Sequence, residues 1–429
     1  MVMNTLNVEL PEGFKMTELG PLPKEWEVVE FEQCINKGHT RVGKVKQQEY
    51  KECGKYPVID QGQSLIAGYW DGEKDVYQGK LPVIIFGDHT RNIKYVNFPF
   101  VAGADGVKVL VPNTLTIYPM FFYFALINLK IPNRGYNRHY SLLRESRIPL
   151  PPLSEQQKIA AVLSSIQEAK EKTEAVISAA KGLKKSMMKY LFTYGPVPVT
   201  DAENVPLKET EIGIVPEEWE VIGIKEVIDL RRGVSWRKAE ANKEGIGIPV
   251  IGIPNIKEDG SIDFANTYFL NKNVKKEKLL QEGDILFVGS SGSIRHVGRN
   301  LLIRELPENT FTYASFTFLG RVKQGKAISK FIYYLLNSSH VNFEKYARRA
   351  SDGKYNFQLT QFKNEQKLPL PPLPEQQKIA FILSAIDEKI EAEESKKQAL
   401  EDLFRSMLHN LMTAKIRVNN LKIDIDEEL

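Results

Sequence analysis

The chain has 429 residues, 42% of them hydrophobic, which points to two or three domains at roughly 150 residues each and supplies enough apolar side chains for more than one core. No apolar run approaches the ~20 residues of a membrane span, and the first dozen residues lack the basic-then-apolar order of a signal peptide, so a soluble, cytoplasmic protein is expected. Two cysteines, Cys34 and Cys53, exclude a disulfide framework or a four-cysteine zinc site and leave either one bridge or two idle thiols, the latter fitting a reducing compartment.

The net charge of +4 is an average over unlike parts. Residues 1–34 carry −5, 35–154 carry +7 and 155–192 carry +3; residues 193–223 carry −6, 224–367 carry +9 and 368–429 carry −4. Two basic blocks of similar size thus alternate with acidic connectors. That suits two separate contacts with a polyanion such as DNA, and it equally suits two lysine-rich surfaces kept soluble by charge.

In chain order, a first unit opens on Thr17-Glu18-Leu19-Gly20-Pro21-Leu22-Pro23-Lys24-Glu25-Trp26-Glu27-Val28. Strand-like Pro57-Val58-Ile59 follows, then β-rich runs at 82–86 and 107–111 bounded by Gly, Asp and Asn, and a helix is expected over 118–129. The unit closes on Pro149-Leu150-Pro151-Pro152-Leu153-Ser154-Glu155-Gln156-Gln157-Lys158-Ile159-Ala160. From Glu155 to Phe192 there is no Pro and one Gly, and Ile159, Leu163, Ile166, Ile177, Ala180, Leu183, Met187 and Leu191 fall at helical spacing.

A second unit repeats each feature. Thr210 to Val221 restates the opening motif, Pro249-Val250-Ile251 the first strand, 284–288 and 314–319 the β-rich runs, and 329–338 the helix. Pro369 to Ala380 restates the closing motif, and Glu375 to Met412 the long helix, with Ile379, Leu383, Ile386, Ile390, Leu400, Leu403, Phe404, Met407 and Leu411 on its stripe. Two such matches in the same order mark a tandem duplication of a unit of about 200 residues. The spacing between copies drifts along the chain, as a shared scaffold with divergent loops requires.

The expected fold class is therefore α/β: two tandem globular units, with segments 1–150, 151–195, 196–370 and 371–429 as globular, helical, globular and helical regions. Each helix of about 38 residues is a rod of roughly 57 Å. Neither stripe can stay in water, so the rods are expected to pack antiparallel, with Thr173, Glu393 and Lys397 either setting register in a polar middle or merely solvated.

Catalytic signatures are missing from the sequence: it has no Gly-x-x-x-x-Gly-Lys-Ser/Thr loop, no His-Glu-x-x-His, no Gly-x-Ser-x-Gly and no motif that would hold an exocyclic amine for methylation. Phe287 to Ser293 is glycine-loop-like but lacks the following helix and acidic partner of a cofactor site. The chain reads as a binder without catalytic or metal residues. Arg reads guanine bidentately, Asn and Gln read adenine, and Ser, Lys and backbone amides hold phosphate. On that chemistry the candidate DNA contacts of the first unit are His89, Arg91, Lys94, Arg134, Tyr136, Asn137 and Arg138. Those of the second are Arg231, Arg232, Trp236, Arg237, Ser290, Ser291, Ser293, Arg295, His296, Arg299, Arg348, Arg349 and Lys354.

The repeated Thr-Glu-x-Gly-x-x-Pro-x-x-Trp opening, the repeated Leu-Pro-Pro-Leu-x-Glu-Gln-Gln-Lys-Ile-Ala closing and the long helices resemble the specificity (S) subunit of type I restriction-modification systems, over nearly the whole chain. The copies depart from each other only slightly, as at Ser154 against Pro374 and Gln167 against Asp387. The resemblance implies that each globular unit is a target recognition domain reading one half of a bipartite, asymmetric DNA site. It implies an antiparallel coiled coil that fixes the gap between half-sites and docks two modification (M) subunits, with Glu155, Gln156, Gln157, Glu375, Gln376 and Gln377 of the closing motifs as docking candidates. S-adenosylmethionine would belong to the M subunits, ATP and Mg to two restriction (R) subunits, and no cofactor to this chain. An enzyme in its own right and a coiled-coil adaptor without DNA readout are the rival readings.

Overall fold

The strand Val83–Gly87 is buried along its whole length, and its alternating side chains show why. Ile84 and Phe86 enter one core with Trp26, Phe31, Phe121 and Ile159, while Val83 and Ile85 enter another with Ile59, Phe100 and Val107. A strand with a core on each face reads as a continuous apolar run rather than an alternating one. Ile285–Val288 repeats the arrangement: Ile285 and Phe287 face a core with Trp219, Phe331 and Ile379, and Leu286 and Val288 face a second with Ile251 and Tyr313.

A computed structural model describes residues 10–36, 43–104, 106–135, 137–257, 261–307 and 310–419. The chain divides into two units, Met1–Ala175 with Glu394–Leu429, and Val176–Glu393. In the first, Val83–Gly87 is flanked by Val107–Leu110 and Ile93–Val96, both antiparallel. A second, mixed sheet runs Lys44–Val45, Val101–Gly103, Tyr56–Ile59, Gly68–Trp70. Helix Pro119–Asn128 packs on the first sheet, and Glu27–Glu30 pairs with Arg147–Leu150. In the second unit, Ile228–Arg232, Thr317–Val322, Ile285–Val288 and Asn300–Leu302 form one sheet, and Ala241–Asn242, Tyr268–Leu270, Ile248–Ile251 and Thr312–Tyr313 another. A three-stranded sheet of Ser290–Ser291, Tyr355–Phe357 and Ala347–Arg349 has no counterpart among the described residues of the first unit.

The strand expected over 314–319 begins instead at Thr317 and continues to Val322. The Thr317 backbone amide and hydroxyl both donate to the Ala314 carbonyl, closing a turn where the run was expected to start. Gly320, which reads as a boundary, lies inside the strand because a Cβ there would come within 2.9 Å of the Phe287 ring.

The long helices are Leu153–Tyr194 and Leu373–Met412. Within the first unit, Lys170 pairs with Glu401 and Glu174 with Lys397, so the two segments run in opposite directions. Within the second, Lys184 pairs with Asp387, while Leu191 and Phe192 share a core with Ile379 and Leu383. The two pairs of the first unit, both partly exposed, contribute ~0.2–1 kcal/mol each at most; burial of the stripes holds the segments together. The polar residues of the stripe are partnered: the Thr173 hydroxyl donates to the Ala169 carbonyl at 2.8 Å, Lys397 meets Glu174, and Glu393 accepts from Lys389 at 2.6 Å.

Candidate nucleic-acid interface

The two repeated motifs meet in space. Each opening motif is a tight hairpin: the Thr17 hydroxyl donates to the Gly20 carbonyl and that of Thr210 to Gly213, both at 2.7 Å, with Gly20 and Gly213 at φ +99° and +111°, where a side chain would be strained. The hairpin delivers a buried tryptophan to the closing motif. Trp26 Nε1 donates to Glu155 Oε2 at 2.9 Å, and Trp219 Nε1 to Glu375 Oε2 at 3.1 Å. The neighbouring glutamines tie in the short helices: Gln156 accepts from the Tyr118 amide and donates to the Pro151 carbonyl, and Gln376 does the same with Ile328 and Pro371.

This geometry corrects the docking expectation for four residues. Glu155, Gln156 and Gln376 are buried, and Glu375 is half-buried on Trp219, so their polar atoms are committed inside the fold. Gln157, half-buried, and Gln377, exposed, remain on the helix surface. In the first unit Arg417 completes the joint, its guanidinium donating to Glu155 at 2.9 Å and to Glu25 at 2.6 Å beside the fully buried Val418. Arg417 holds the Glu25 carboxyl below its ordinary range, chiefly through that hydrogen bond.

In the first unit the strand Val83–Gly87 ends in a turn whose Asp88 is buried and accepts the backbone amides of His139 and Tyr140 at 2.9 and 2.8 Å. His139 is itself buried, with Nδ1 2.9 Å from the Asp88 carbonyl and Nε2 3.2 Å from the Arg134 amide. A carbonyl only accepts and an amide N–H only donates, so the ring is neutral with its proton on Nδ1. One buried pair therefore fixes the turn carrying His89 and Arg91 against the loop carrying Arg134, Asn137 and Arg138, the last three exposed. Arg91 has φ +63° and donates from Nη1 to the Ile131 carbonyl at 2.9 Å, a second tie between the same loops. Lys94 does not join them. It is 5% exposed, donates to the Asp60 carbonyl at 2.7 Å and is shifted below the usual lysine range by burial, so it is a structural residue and not a DNA contact. Tyr136 lies outside the described residues.

The second unit assembles the same two segments by strand pairing. Phe357 donates its amide to the Gly289 carbonyl at 2.9 Å, and Ser291, Tyr355 and Arg349 lie opposite one another across three strands, as do Ser290, Asn356 and Arg348. Exposed Arg295 and His296 follow on a short 3-10 turn after Ser293, and Lys354 lies at the tip of the hairpin. Arg232 stands 5.3 Å over the Phe318 ring, which packs on Phe357. Ser290 is buried, so its hydroxyl is not presented.

Four other candidates fall elsewhere. Arg231 is ion-paired with Asp229 and donates to the Glu277 carbonyl at 3.0 Å. Arg299 is half-buried with Nη2 3.4 Å from the Ile256 carbonyl. Trp236 packs against the Val234, Val250 and Leu270 cluster, next to exposed Arg237. For Arg231 these internal partners correct the DNA-contact expectation. Sequence reasoning missed Gln61, whose Oε1 accepts the His89 amide and whose carbonyl accepts the Thr90 hydroxyl; nothing in its local sequence signals that role.

Among the described residues no helix is long and apolar enough to cross a membrane, and no cluster of His, Cys, Asp and Glu could hold a metal. The family profile described as the type I restriction modification DNA specificity domain matches residues 23–179 and again 216–402. The chain is 32% identical over 428 residues to the type I restriction enzyme MjaVIII specificity subunit of Methanocaldococcus jannaschii, covering 96% of this chain and 97% of that one. It is 23% identical to the EcoR124I/EcoR124II specificity subunit of Escherichia coli, covering 80% and 82% of the two chains. The fold is similar to the crystal structure of a type I restriction-modification S subunit from M. genitalium, with a TM-score of 0.62 and 16% identity over 90% of this chain and 96% of that one.

Proposed function

The chain belongs to the type I restriction-modification DNA specificity family, and from that premise we propose that it is a non-catalytic subunit whose two units each read one half of a bipartite, asymmetric site in double-stranded DNA. The observation that carries this reading is the pairing, in each unit, of two basic loop segments far apart in sequence, by Asp88 and His139 in one and by the sheet around Gly289 and Phe357 in the other. Exposed Arg134, Asn137 and Arg138, and exposed Arg295, Arg348, Arg349 and Lys354, supply the side chains that contact base edges and phosphate.

In this reading the long helices form an antiparallel coiled coil that sets the gap between half-sites and docks two M subunits, with Gln157 and Gln377 on the surface offered. The M subunits would bring S-adenosylmethionine and transfer the methyl group; two R subunits would bring ATP and Mg; the assembly would work in the cytoplasm. Arg295→Ala tests the DNA contact. If Arg295 reads a base, binding of the cognate duplex weakens by ~1–3 kcal/mol and selectivity relaxes at one position; if it holds phosphate, all sequences weaken alike and the salt slope flattens. Unchanged affinity and unchanged salt slope would contradict the assignment and favour an adaptor without DNA readout.

A further inference from the structure

Two short turns, far apart in sequence, have the same place in the two units. The Lys46 amide donates to Glu49 Oε2 at 3.0 Å, closing the 3-10 turn Gln47–Glu49, and the Arg237 amide donates to Glu240 Oε2 at 2.7 Å, closing Lys238–Glu240. In the first unit the turn joins Lys44, bridged in parallel to Ala102, to Lys51, bridged antiparallel to Tyr69. In the second it joins Val234, bridged in parallel to Ala314, to Ala241, bridged antiparallel to Leu270. The backbone frame is duplicated, and the exposed residues on it differ: Gln47 and Gln48 in one copy, Lys238 and Ala239 in the other.

The first of these turns borders an open cavity of about 660 Å³ lined by Lys46, Gln47, Gln48, Tyr50, Asp60 and Gln61. Gln61 connects the cavity to the candidate DNA surface, because it also holds the His89 amide at 3.3 Å and, through its carbonyl, the Thr90 hydroxyl at 2.6 Å and the Asn92 side chain at 2.9 Å. The side-chain amides of Gln47 and Gln48 make no hydrogen bond with the described residues. A free carboxamide offers one donor and one acceptor side by side, the pattern that matches the N6 amino group and N7 of adenine in the major groove. A lysine in the matching copy offers only donors, which suits guanine or phosphate.

We propose that the Gln47–Glu49 turn and its cavity form part of the base-reading surface of the first unit, with Gln47 and Gln48 as specificity-determining residues for adenine. The assignment rests on the reading that the units bind DNA. A fixed frame with variable exposed residues lets two copies of one scaffold read different bases without altering either core.

The test uses the full chain assembled with its M subunits and the double variant Gln47→Ala/Gln48→Ala. Both side chains are exposed and make no hydrogen bond with the described residues, so the melting temperature should not change. Competition binding to duplexes substituted one position at a time should show adenine preference at one or two positions of the first half-site relaxed roughly five- to hundred-fold, with the second half-site read as before. If the first half-site is read unchanged while Arg295→Ala still weakens binding, the turn is not a reader and the inference fails with the DNA reading intact. If the unaltered assembly prefers no sequence over any other, the DNA reading itself fails, and the inference with it.

Discussion

At Glu155, a carboxylate only 4% exposed accepts hydrogen bonds from Trp26 and Arg417, so its removal leaves a buried indole N–H without its acceptor and Arg417 with Glu25 alone. Glu155→Ala is expected to cost about 2–3 kcal/mol, from an unsatisfied buried indole N–H and the loss of a charge-assisted hydrogen bond to an arginine that still pairs with Glu25. Glu375→Ala, which loses one indole bond and no arginine, is expected to cost only about 1–2 kcal/mol. Thermal unfolding of the two variants checks this; unchanged melting with lost affinity for partner subunits would restore the docking role. Cysteine labelling makes a second check at this scale. Burial pushes the Cys34 thiol up to about 12, whereas Cys53 is exposed. An alkylating agent at pH 8 should therefore modify Cys53 alone until the protein unfolds, because the thiolate is the nucleophile; equal labelling of both would contradict the burial. Single residues were where sequence was least informative. Lys94 and Arg134 are both cations in polar stretches, and only the fold shows that one is turned inward to Asp60 while the other stays exposed.

Elements were more legible, because hydrophobic period survives in sequence. The strands Val83–Gly87 and Ile285–Val288 and the helices Pro119–Asn128 and Ser329–Leu336 fall within two residues of their expected bounds. The long helices start two residues early, at Leu153 and Leu373, where the Pro152 and Pro372 carbonyls accept the first amides, and the first also runs two residues past Phe192 to Tyr194. What was hidden was pairing: the hairpin Ala347–Arg349 with Tyr355–Phe357 looks like a polar loop because its partner strand Ser290–Ser291 is two residues long. A helix of 42 residues is about 63 Å long, and a length-setting role follows if the helices determine the gap. Inserting four residues in each, near Ala179 and near Ala392, adds about 6 Å while nearly preserving the stripe. The expected methylation pattern keeps both half-sites and lengthens the gap by one or two base pairs; an unchanged gap would rule out the ruler and leave the family assignment standing.

The duplication governs the whole molecule. The segments that differ most between copies, including the turns at 87–92 and 290–296 and the loops at 133–140 and 347–357, lie between the motifs that repeat. Trp26 and Glu155 in one unit, and Trp219 and Glu375 in the other, belong to the repeated frame and hold each unit from outside its variable part, and Arg417 and Val418 add to it in the first unit alone among the described residues. That modularity was readable in sequence because the repeat anchors are contiguous; the closure of the first unit by Arg417 was not, since the partners are 262 residues apart and no motif links them. If each unit reads its own half-site, exchanging residues 35–148 for those of a related chain should replace the first half-site and leave the second unchanged. Methylome sequencing of cells carrying the exchanged chain measures this directly: one altered and one retained half-site is the predicted pattern, and alteration of both, or of neither, would contradict it.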